Sequence, residues 1–346
     1  MQFDRSRDKI FCLYFVKVYL FIIFHYFDFN QIRTTGFPSY GLLRCNLEEI
    51  VLTFVNKTPA FPEFKAITFA QMEQSEAIRT ASGSTLYVYT FPSLFSWRND
   101  EEYGICLTED AFLVKYGARG ENAYLFPCGT EEGKIRFVDS LLRRETPVFY
   151  YIDDKDKAFL EKTYPGVFGY EECRDDFPYL YDKESQIRLA GRENKGLRHK
   201  VNIGRAVAES WSAEPLTDQN IERAIAINRK WADAFSAGGP ADTAAAETAL
   251  RHFSDLHLWG MLFIADGEDM AYVAGTFITP EIFDICFCKV LDKRCDCYIK
   301  WALYSALPEE VKTVDSEDDM GIAGLRTHKM QRRPKELLRV WKGFPV

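Results

Sequence analysis

The chain has 346 residues, of which 47% are hydrophobic and 27% are charged. This is the balance of an ordinary globular protein, and at roughly 150 residues per domain it predicts about two domains. A formal net charge of -8 at pH 7 argues against a surface that binds nucleic acid all over, so we expect no DNA partner.

Residues 1–61 are predicted to be an N-terminal extension with an apolar segment at residues 10–29. The segment is about long enough to cross a bilayer as a helix, and basic residues precede it. Lys17, His25 and Asp28 interrupt it, and no small-residue cleavage site follows. Three interpretations stay open: a membrane anchor, an interfacial helix that contacts a membrane surface, or an extension outside the domain. The expected location is the cytoplasm, with or without membrane association through this segment.

Regular patterning begins near Phe64 and predicts a first mixed α/β domain over residues 62–175. A short strand and a helix come first, followed by strands rich in β-branched and aromatic residues and by one helix with helical spacing of its apolar residues. The predicted elements after the opening strand and helix are the strands Ile105–Leu107, Phe112–Tyr116 and Tyr124–Cys128, the helix Gly133–Arg144 and a strand at residues 147–153.

The pattern then restarts and predicts a second domain over residues 176–346. Two helices precede three consecutive strands, after which come a helix, a short strand and a final helix. This is the element order of the GNAT fold. The predicted elements are the helices Gln219–Ser236 and Ala241–Leu256, strands within residues 258–292, the helix Cys297–Leu307, the strand Thr313-Val314 and the helix Pro334–Trp341. The fold class is thus predicted as α/β (of the α+β type): two tandem GNAT-like domains with mixed, mostly antiparallel sheets and flanking helices.

Nine cysteines are scattered along the chain without a CxxC pair, which indicates the reduced thiols of a cytosolic protein. The densest group forms two C-x-C pairs: Cys286 with Cys288 and Cys295 with Cys297. The first pair shares one face of a predicted strand, which favours small buried side chains over zinc ligands. We therefore expect no metal.

Two segments are strongly basic in this acidic protein. Residues 192–205 carry five lysines and arginines against one acid, and residues 326–342 carry seven against one. Together they favour a site for a phosphorylated or otherwise anionic ligand. The alternative is a solvated helix face.

Three motifs in collinear order resemble the C-terminal family of the phosphatidylglycerol lysyltransferases. Residues 315–329 read DSEDDMGIAGLRTHK, residues 91–104 read FPSLFSWRNDEEYG, and residues 179–204 read YLYDKESQIRLAGRENKGLRHKVNIG. The resemblance covers residues 62–346. In the first motif the positions that match the family pattern are Asp319, Gly321, Gly324, Arg326 and Lys329.

The resemblance implies acyl or aminoacyl transfer by a pair of GNAT-like domains, and it has departures. Arg198 and Asn202 match the family's third motif, but its Asn-His pair is missing. Of the family's Glu-Lys and Pro-Gly-x-Tyr elements only Lys289 and Tyr298 remain. In the namesake enzymes lysine passes from lysyl-tRNA to the headgroup of phosphatidylglycerol. With these departures, lipid lysylation does not follow from the resemblance.

GNAT-type transfer needs a group that accepts the proton of the acceptor, donors for the developing oxyanion and a means of holding the substrates. The predicted catalytic residues are Asp319, as a base or as an orienter of Arg326; Tyr298, as a proton donor; and Lys289. Tyr298 and Lys289 are expected to flank the place where the strands of the fold separate. The alternatives are a helix N-cap for Asp319 and a packed core tyrosine for Tyr298.

The predicted substrate-binding residues are Arg198, Asn202, Arg326 and Lys329, which would hold an anionic group; for Arg326 and Lys329 the alternative is a structural salt bridge. The pyrophosphate loop of acetyl-CoA-dependent GNAT proteins is not recognisable between Val290 and Ile299. We expect no tightly bound cofactor, aminoacyl-tRNA or acyl-CoA as the donor, and an anionic small molecule or charged tRNA as the partner. A second class stays open: a catalytically silent GNAT-like module that binds an anionic metabolite, tRNA or lipid headgroup.

Overall fold

The computed structural model describes residues 62–234 and 239–346, and the elements below are numbered within them. The N-terminal extension and its apolar segment lie outside these residues. The described strands are β1 Lys65–Ala66, β2 Tyr103–Leu107, β3 Ala111–Tyr116, β4 Ala123–Gly129, β5 Val148–Asp153, β6 Phe168–Glu172, β7 Tyr179–Asp182, β8 Trp211–Pro215, β9 Trp259–Ala265, β10 Glu268–Thr279, β11 Ile282–Val290, β12 Thr313–Asp315, β13 Glu336–Leu337 and β14 Val340–Pro345.

Ten α-helices flank these strands in the described residues. They are α1 Met72–Ser82, α2 Phe91–Trp97, α3 Glu131–Leu142, α4 Asp154–Thr163, α5 Lys183–Arg188, α6 Lys195–Arg205, α7 Ile221–Ala234, α8 Gly239–Arg251, α9 Asp296–Ala306 and α10 Ala323–Gln331. Local capping fixes several of their starts. The Thr130 hydroxyl accepts the Gly133 N–H (3.1 Å) before α3, and the Asp153 carboxylate accepts the Asp156 N–H (2.7 Å) before α4.

The strands form two seven-stranded sheets that share one topology. The first has the order β1-β2-β3-β4-β5-β14-β6, and the second, written in the matching direction, has the order β8-β9-β10-β11-β12-β7-β13. In each sheet antiparallel strands lead to one parallel pair, β4 with β5 and β11 with β12. The predicted α/β fold class, with two tandem GNAT-like units and flanking helices, is confirmed.

The first sheet takes one strand from the C-terminal end of the chain. β7 directly follows the last segment of the first sheet in sequence, yet it pairs with β12 in the second sheet. The C-terminal strand β14 returns in the opposite sense and inserts between β5 and β6 of the first sheet. The predicted boundary at residue 175 falls between β6 and β7, but the two sheets are interleaved beyond it. The first sheet is therefore incomplete without β14 from the second half of the chain, whereas all strands of the second sheet lie within residues 179–337.

The predicted final helix Pro334–Trp341 is wrong: this stretch holds β13 and the start of β14. Val340 is buried and Trp341 pairs with both Ile152 and Glu172, so tertiary pairing decides the conformation of an aromatic, β-favouring stretch. The prediction also left out α4, α6 and α10. Among the described residues, no helix combines the length and apolar character needed to cross a bilayer.

Candidate active site

The parallel strands β11 and β12 separate in the middle of the second sheet. They pair from Ile282 with Thr313 to Asp284 with Asp315, where β12 ends. β11 continues to Val290 and pairs there only with β10. The edge of β11 beyond Asp284 is therefore free on the β12 side, and backbone N–H groups become available at the opening.

A β-bulge in β11 lies beside this opening. On the neighbouring strand Ala274 pairs with Phe287 and Thr276 with Asp284, so two residues of β11 face the single residue Gly275. A Cβ atom at Gly275 would lie 2.0 Å from the Asp284 carbonyl oxygen, which only glycine avoids. Bulges of this kind re-aim side chains and are frequent next to active sites.

Carboxylates gather where the two strands part. Asp284 and Asp315 are completely buried, and Glu317 is half-buried. The Cys286 thiol donates to Asp284 Oδ2 (3.3 Å), while Asp284 Oδ1 and Asp315 Oδ2 are buried without a hydrogen-bond partner among the described residues. The ligand atoms of Asp284, Cys286 and Glu317 lie within 4.8 Å of one another, close enough to contact one cation.

Burial sets the protonation of this carboxylate cluster, which we define as Asp284, Asp315 and Glu317. Desolvation raises the pKa of each of the three carboxyl groups, and the negative charges of neighbouring carboxylates add to the rise. The charge of Lys329 opposes it. Groups of this kind can take up a proton near neutral pH, which ordinary surface carboxylates do not.

Lys329 holds the acidic turn that follows β12. Its ammonium group is buried and donates to the backbone carbonyl oxygens of Ser316, Glu317 (3.3 Å) and Asp318. Burial lowers the pKa of Lys329, and the charges of Asp318 and Glu317 oppose that effect. In this geometry the predicted substrate-binding lysine is part of the scaffold around the carboxylate cluster.

The first half of the chain reaches the same turn through two tyrosines. The Tyr87 hydroxyl donates to Asp318 Oδ2 at 2.6 Å, and the Tyr151 hydroxyl lies 3.2 Å from the same oxygen. Burial is the main cause that raises the pKa of both tyrosines, so both remain protonated donors. Sequence reasoning missed them, because neither lies in a motif and both are far from Asp318 along the chain.

An ion pair between Asp319 and Arg326 also holds this turn in place. The Arg326 guanidinium binds both carboxylate oxygens of Asp319 (Nε to Oδ2 3.0 Å, Nη2 to Oδ1 2.7 Å) and also reaches Asp175 at 2.5 Å. Burial acts to raise the pKa of Asp319, but hydrogen bonds from Arg326, Tyr179 and the Gly321 N–H outweigh it and lower the pKa to about 2. Asp319 therefore stays ionised, which favours its predicted orienting role over that of a base.

The other four predicted residues lie apart from this turn. Arg198 donates to the carbonyl oxygens of Leu189 and Gly191 (2.7 Å to the latter), and the Asn202 side chain is exposed. Lys289 is buried in an ion pair with Asp242, 4.1 Å from the ring centre of Trp231. Tyr298 packs 4.8 Å from the ring centre of Trp211 and 6.1 Å from that of Trp301. The structure thus brings Asp319, Arg326 and Lys329 together and gives the rest packing and pairing contacts.

Helix α6 packs on the start of α9, in the region where the pyrophosphate loop was sought. A Cβ atom at Gly204 of α6 would lie 2.8 Å from the Arg294 carbonyl oxygen and 2.8 Å from Tyr298 Cβ. The Cys295 thiol also faces the Gly204 carbonyl oxygen at 3.9 Å. The α6 backbone at Gly204 therefore lies directly against Arg294, Cys295 and Tyr298 at the start of α9.

The family model described as phosphatidylglycerol lysyltransferase, C-terminal, matches residues 81–283. The chain belongs to this family. The matched range includes the motifs at residues 91–104 and 179–204 and ends before the acidic turn. No protein of curated function matches the sequence. Membership in the phosphatidylglycerol lysyltransferase C-terminal family, together with the GNAT-like fold, supports acyl or aminoacyl transferase activity.

Solved structures share the fold of this family member at low sequence identity. A conserved protein of unknown function from Bacteroides thetaiotaomicron has a TM-score of 0.75 and 22% identity, over 83% of this chain and 100% of that one. The C-terminal domain of a putative lysylphosphatidylglycerol synthetase from Agrobacterium fabrum has a TM-score of 0.56 and 12% identity, over 80% and 92%. L-PGS from Bacillus licheniformis has a TM-score of 0.56 and 13% identity, over 79% and 91%.

Proposed function

We propose that the protein transfers an acyl or aminoacyl group from an activated donor, an aminoacyl-tRNA or an acyl-CoA, to an amine or hydroxyl acceptor. The observation that carries this proposal is the carboxylate cluster, buried at the opening between β11 and β12 with its pKa values raised. It combines a proton acceptor with a free strand edge, which are the two elements that direct acyl transfer needs.

In the proposed reaction the acceptor nitrogen or oxygen attacks the carbonyl carbon of the donor ester or thioester. A new C–N or C–O bond forms, and the carbonyl oxygen becomes an oxyanion beside the free N–H groups of β11 beyond Asp284. Collapse of this intermediate breaks the bond to the tRNA ribose oxygen or to the CoA sulfur. The proton of the acceptor passes to the carboxylate cluster, in which Asp284 and Asp315 lie at the strand edge, and the cluster then gives it to the departing ribose oxygen or CoA sulfur, which leaves as the alcohol or thiol.

The packing of α6 supports an ester donor such as aminoacyl-tRNA over acyl-CoA. The α6 backbone lies against Arg294 and Cys295 at the start of α9, which reduces the space for a CoA pyrophosphate at this helix N-terminus. The exposed side of the same segment carries Arg192, Lys195, Lys200 and Arg205. A face of this kind suits the phosphates of a charged tRNA or another anionic partner.

Transfer assays with radiolabelled aminoacyl-tRNAs and acyl-CoAs, each against a panel of amines and hydroxyl compounds, test the proposal. Removal of a general base typically costs 10²–10⁴-fold in rate, so we expect Asp284→Asn and Asp315→Asn to lower kcat by about 100-fold or more. The matched control is Asp255→Asn, at an exposed acid that lies 3.3 Å from His252 and is not a member of the carboxylate cluster. Asp255→Asn should keep the wild-type rate.

Two outcomes would count against the proposal. Full activity in folded Asp284→Asn and Asp315→Asn proteins would remove the carboxylate cluster from the reaction. Binding of a donor without turnover of any donor would favour the silent GNAT-like module instead, in which these residues hold a ligand and transfer nothing.

A further inference from the structure

A second cluster of charged residues, one buried and three partly buried, lies between α9 and α10. It contains Asp296 and Lys300 from α9, His328 from α10, and Arg332 at the C-terminal end of α10. We call these four residues the α9–α10 cluster. None of them was singled out by sequence motifs, and the reaction proposed above does not use them.

Asp296 is shared by two of the basic groups. Its Oδ1 atom lies 3.2 Å from Lys300 Nζ, and its Oδ2 atom lies 2.9 Å from His328 Nε2. Lys300 Nζ is also 3.3 Å from His328 Nε2. The His328 side chain is 30% exposed and connects the cluster to solvent. The Asp296 carboxylate is therefore within ion-pair distance of Lys300 and His328, while its Oδ2 atom is buried without an aligned hydrogen bond among the described residues.

Arg332 is not satisfied. It is 3% exposed, and only its Nη2 atom has a hydrogen bond, to the Gln186 side-chain oxygen at 3.2 Å. Its Nε and Nη1 atoms are buried without a partner in the part of the chain that the structure describes. Almost all buried donors in proteins have a partner, and leaving a charged donor without one is costly. The guanidinium thus has free donors for an acceptor that the polypeptide does not supply.

The charges of the cluster add up to an excess of one cation. Burial acts to raise the pKa of Asp296, but the charges of Lys300, His328 and Arg332 outweigh it and lower that pKa. The Asp296 carboxylate, as an acceptor facing the His328 ring, acts to raise the pKa of His328, but burial and the charge of Lys300 outweigh it and lower that pKa. At neutral pH the cluster therefore holds Lys300 and Arg332 as cations, Asp296 as an anion and His328 as a neutral ring. One negative charge is missing.

The cluster neighbours the carboxylate cluster. Arg332 follows Lys329 by three residues, a spacing that puts both side chains on one side of the end of α10. Lys300 also acts electrostatically on Lys329 and on Cys288 of β11, which lies beyond the point where β11 and β12 separate. A molecule in the opening between these strands could therefore extend from one cluster to the other.

We propose that the α9–α10 cluster is a subsite for a carboxylate group of the acceptor substrate, bound through Arg332 and Lys300. The inference rests on the transfer reaction proposed above and deepens it, since it names the acceptor as a carboxylate-bearing amine or alcohol. A monoanionic carboxylate matches the single excess positive charge, whereas a phosphate dianion exceeds it. Arginine donors are also suited to carboxylate oxygens.

The test follows His328 by NMR titration of the full chain, with and without 100 mM sodium acetate as the probe, against sodium chloride at equal ionic strength. A negative charge bound at Arg332 and Lys300 favours protonated imidazole, so acetate should raise the pKa of His328 by about one unit. Arg332→Gln should abolish the acetate response. The matched control Arg333→Gln removes the same charge one residue later, from an exposed position, and should keep the response.

Because Arg332→Gln removes a buried residue, Lys300→Met provides a second variant that should weaken acetate binding by about 10-fold or more. The carboxylate subsite is contradicted if acetate leaves the pKa of His328 unchanged, if folded Arg332→Gln responds as the wild type does, or if inorganic phosphate responds and acetate does not. Acetate binding in a chain that transfers nothing would contradict only the proposed function. Transfer to a carboxylate-free acceptor by a chain that ignores acetate would contradict only this inference.

Discussion

Asp284 and Asp315 are opposite each other in the last residue pair of two parallel strands, and both are completely buried. Burial raises the pKa of both carboxyl groups, the charge of Asp315 adds to the rise at Asp284, and the charge of Asp318 adds to the rise at Asp315. One of them keeps a proton that an isolated carboxylate would lose. This pair joins the geometry of the separating strands to the acid–base chemistry of acyl transfer.

The pH dependence of the transfer rate should follow the protonation of Asp284 and Asp315. A base must be deprotonated to act, so kcat/KM should rise with pH and level off above the raised pKa of the carboxylates, later than an ordinary aspartate allows. Steady-state rates between pH 4 and pH 9 measure the profile. Asp315→Asn should remove most of the rate and also the rise of kcat/KM with pH. If the rise stays unchanged in this variant, a different group causes it.

Replacement of Lys329 should destabilise the protein. Lys329→Met leaves the carbonyl oxygens of residues 316–318 without their donor and removes the cation nearest the carboxylate cluster, so we expect a loss of about 2–4 kcal/mol in the free energy of unfolding. Denaturant unfolding monitored by tryptophan fluorescence measures it. Lys335→Met, at an exposed lysine that donates to Thr313 Oγ1 (2.6 Å), is the control and should cost under about 1 kcal/mol. Equal losses would contradict the scaffold role of Lys329.

Asp319 should make the protein sensitive to acid. Its pKa of about 2 lies below the unfolded value of about 3.9, so its contribution is present above that unfolded value and is lost as the pH falls toward 2. Asp319→Asn should remove roughly 2 kcal/mol at pH 7 and flatten stability between pH 4 and pH 2. Unfolding curves at successive pH values test this. If the stability of the Asp319→Asn variant still falls steeply between pH 4 and pH 2, other carboxylates cause that fall.

The C-terminal strand should be needed by the first sheet. A chain that ends at Leu338 lacks β14, which leaves β5 and β6 without the strand that joins them. We expect it to lose cooperative unfolding or solubility, and a synthetic peptide of residues 339–346 to restore the wild-type transition. A chain lacking only Val346, which adds one hydrogen bond to Val167 (3.0 Å), is the control and should unfold like the wild type. Normal stability of the shorter chain would show that β14 is dispensable.

Much of the fold could be predicted from local patterns. The strands from β2 to β5, the strands β9 to β11 and the helices α3, α7, α8 and α9 follow runs of apolar and β-branched residues that local periodicity detects. The strand β14 in the final stretch could not be predicted in this way, because it forms by pairing with β5 and β6, which are far away along the chain. Of the predicted site residues, Asp319, Arg326 and Lys329 share one short motif, so their short spacing along the chain already predicted that they lie close together.

The fold class, the repeated element order and the motifs that resemble the family could all be predicted from the sequence, because each depends on residues close together along the chain. The insertion of β14 into the first sheet and the approach of Tyr87 and Tyr151 to Asp318 depend on tertiary contacts, which local patterns do not reveal. The same holds for the pairing of Asp284 with Asp315 and for the burial of Arg332, whose Nε and Nη1 atoms have no hydrogen-bond partner among the described residues. The physical reason is that strand pairing and burial join residues far apart in sequence, and the same contacts shift their pKa values.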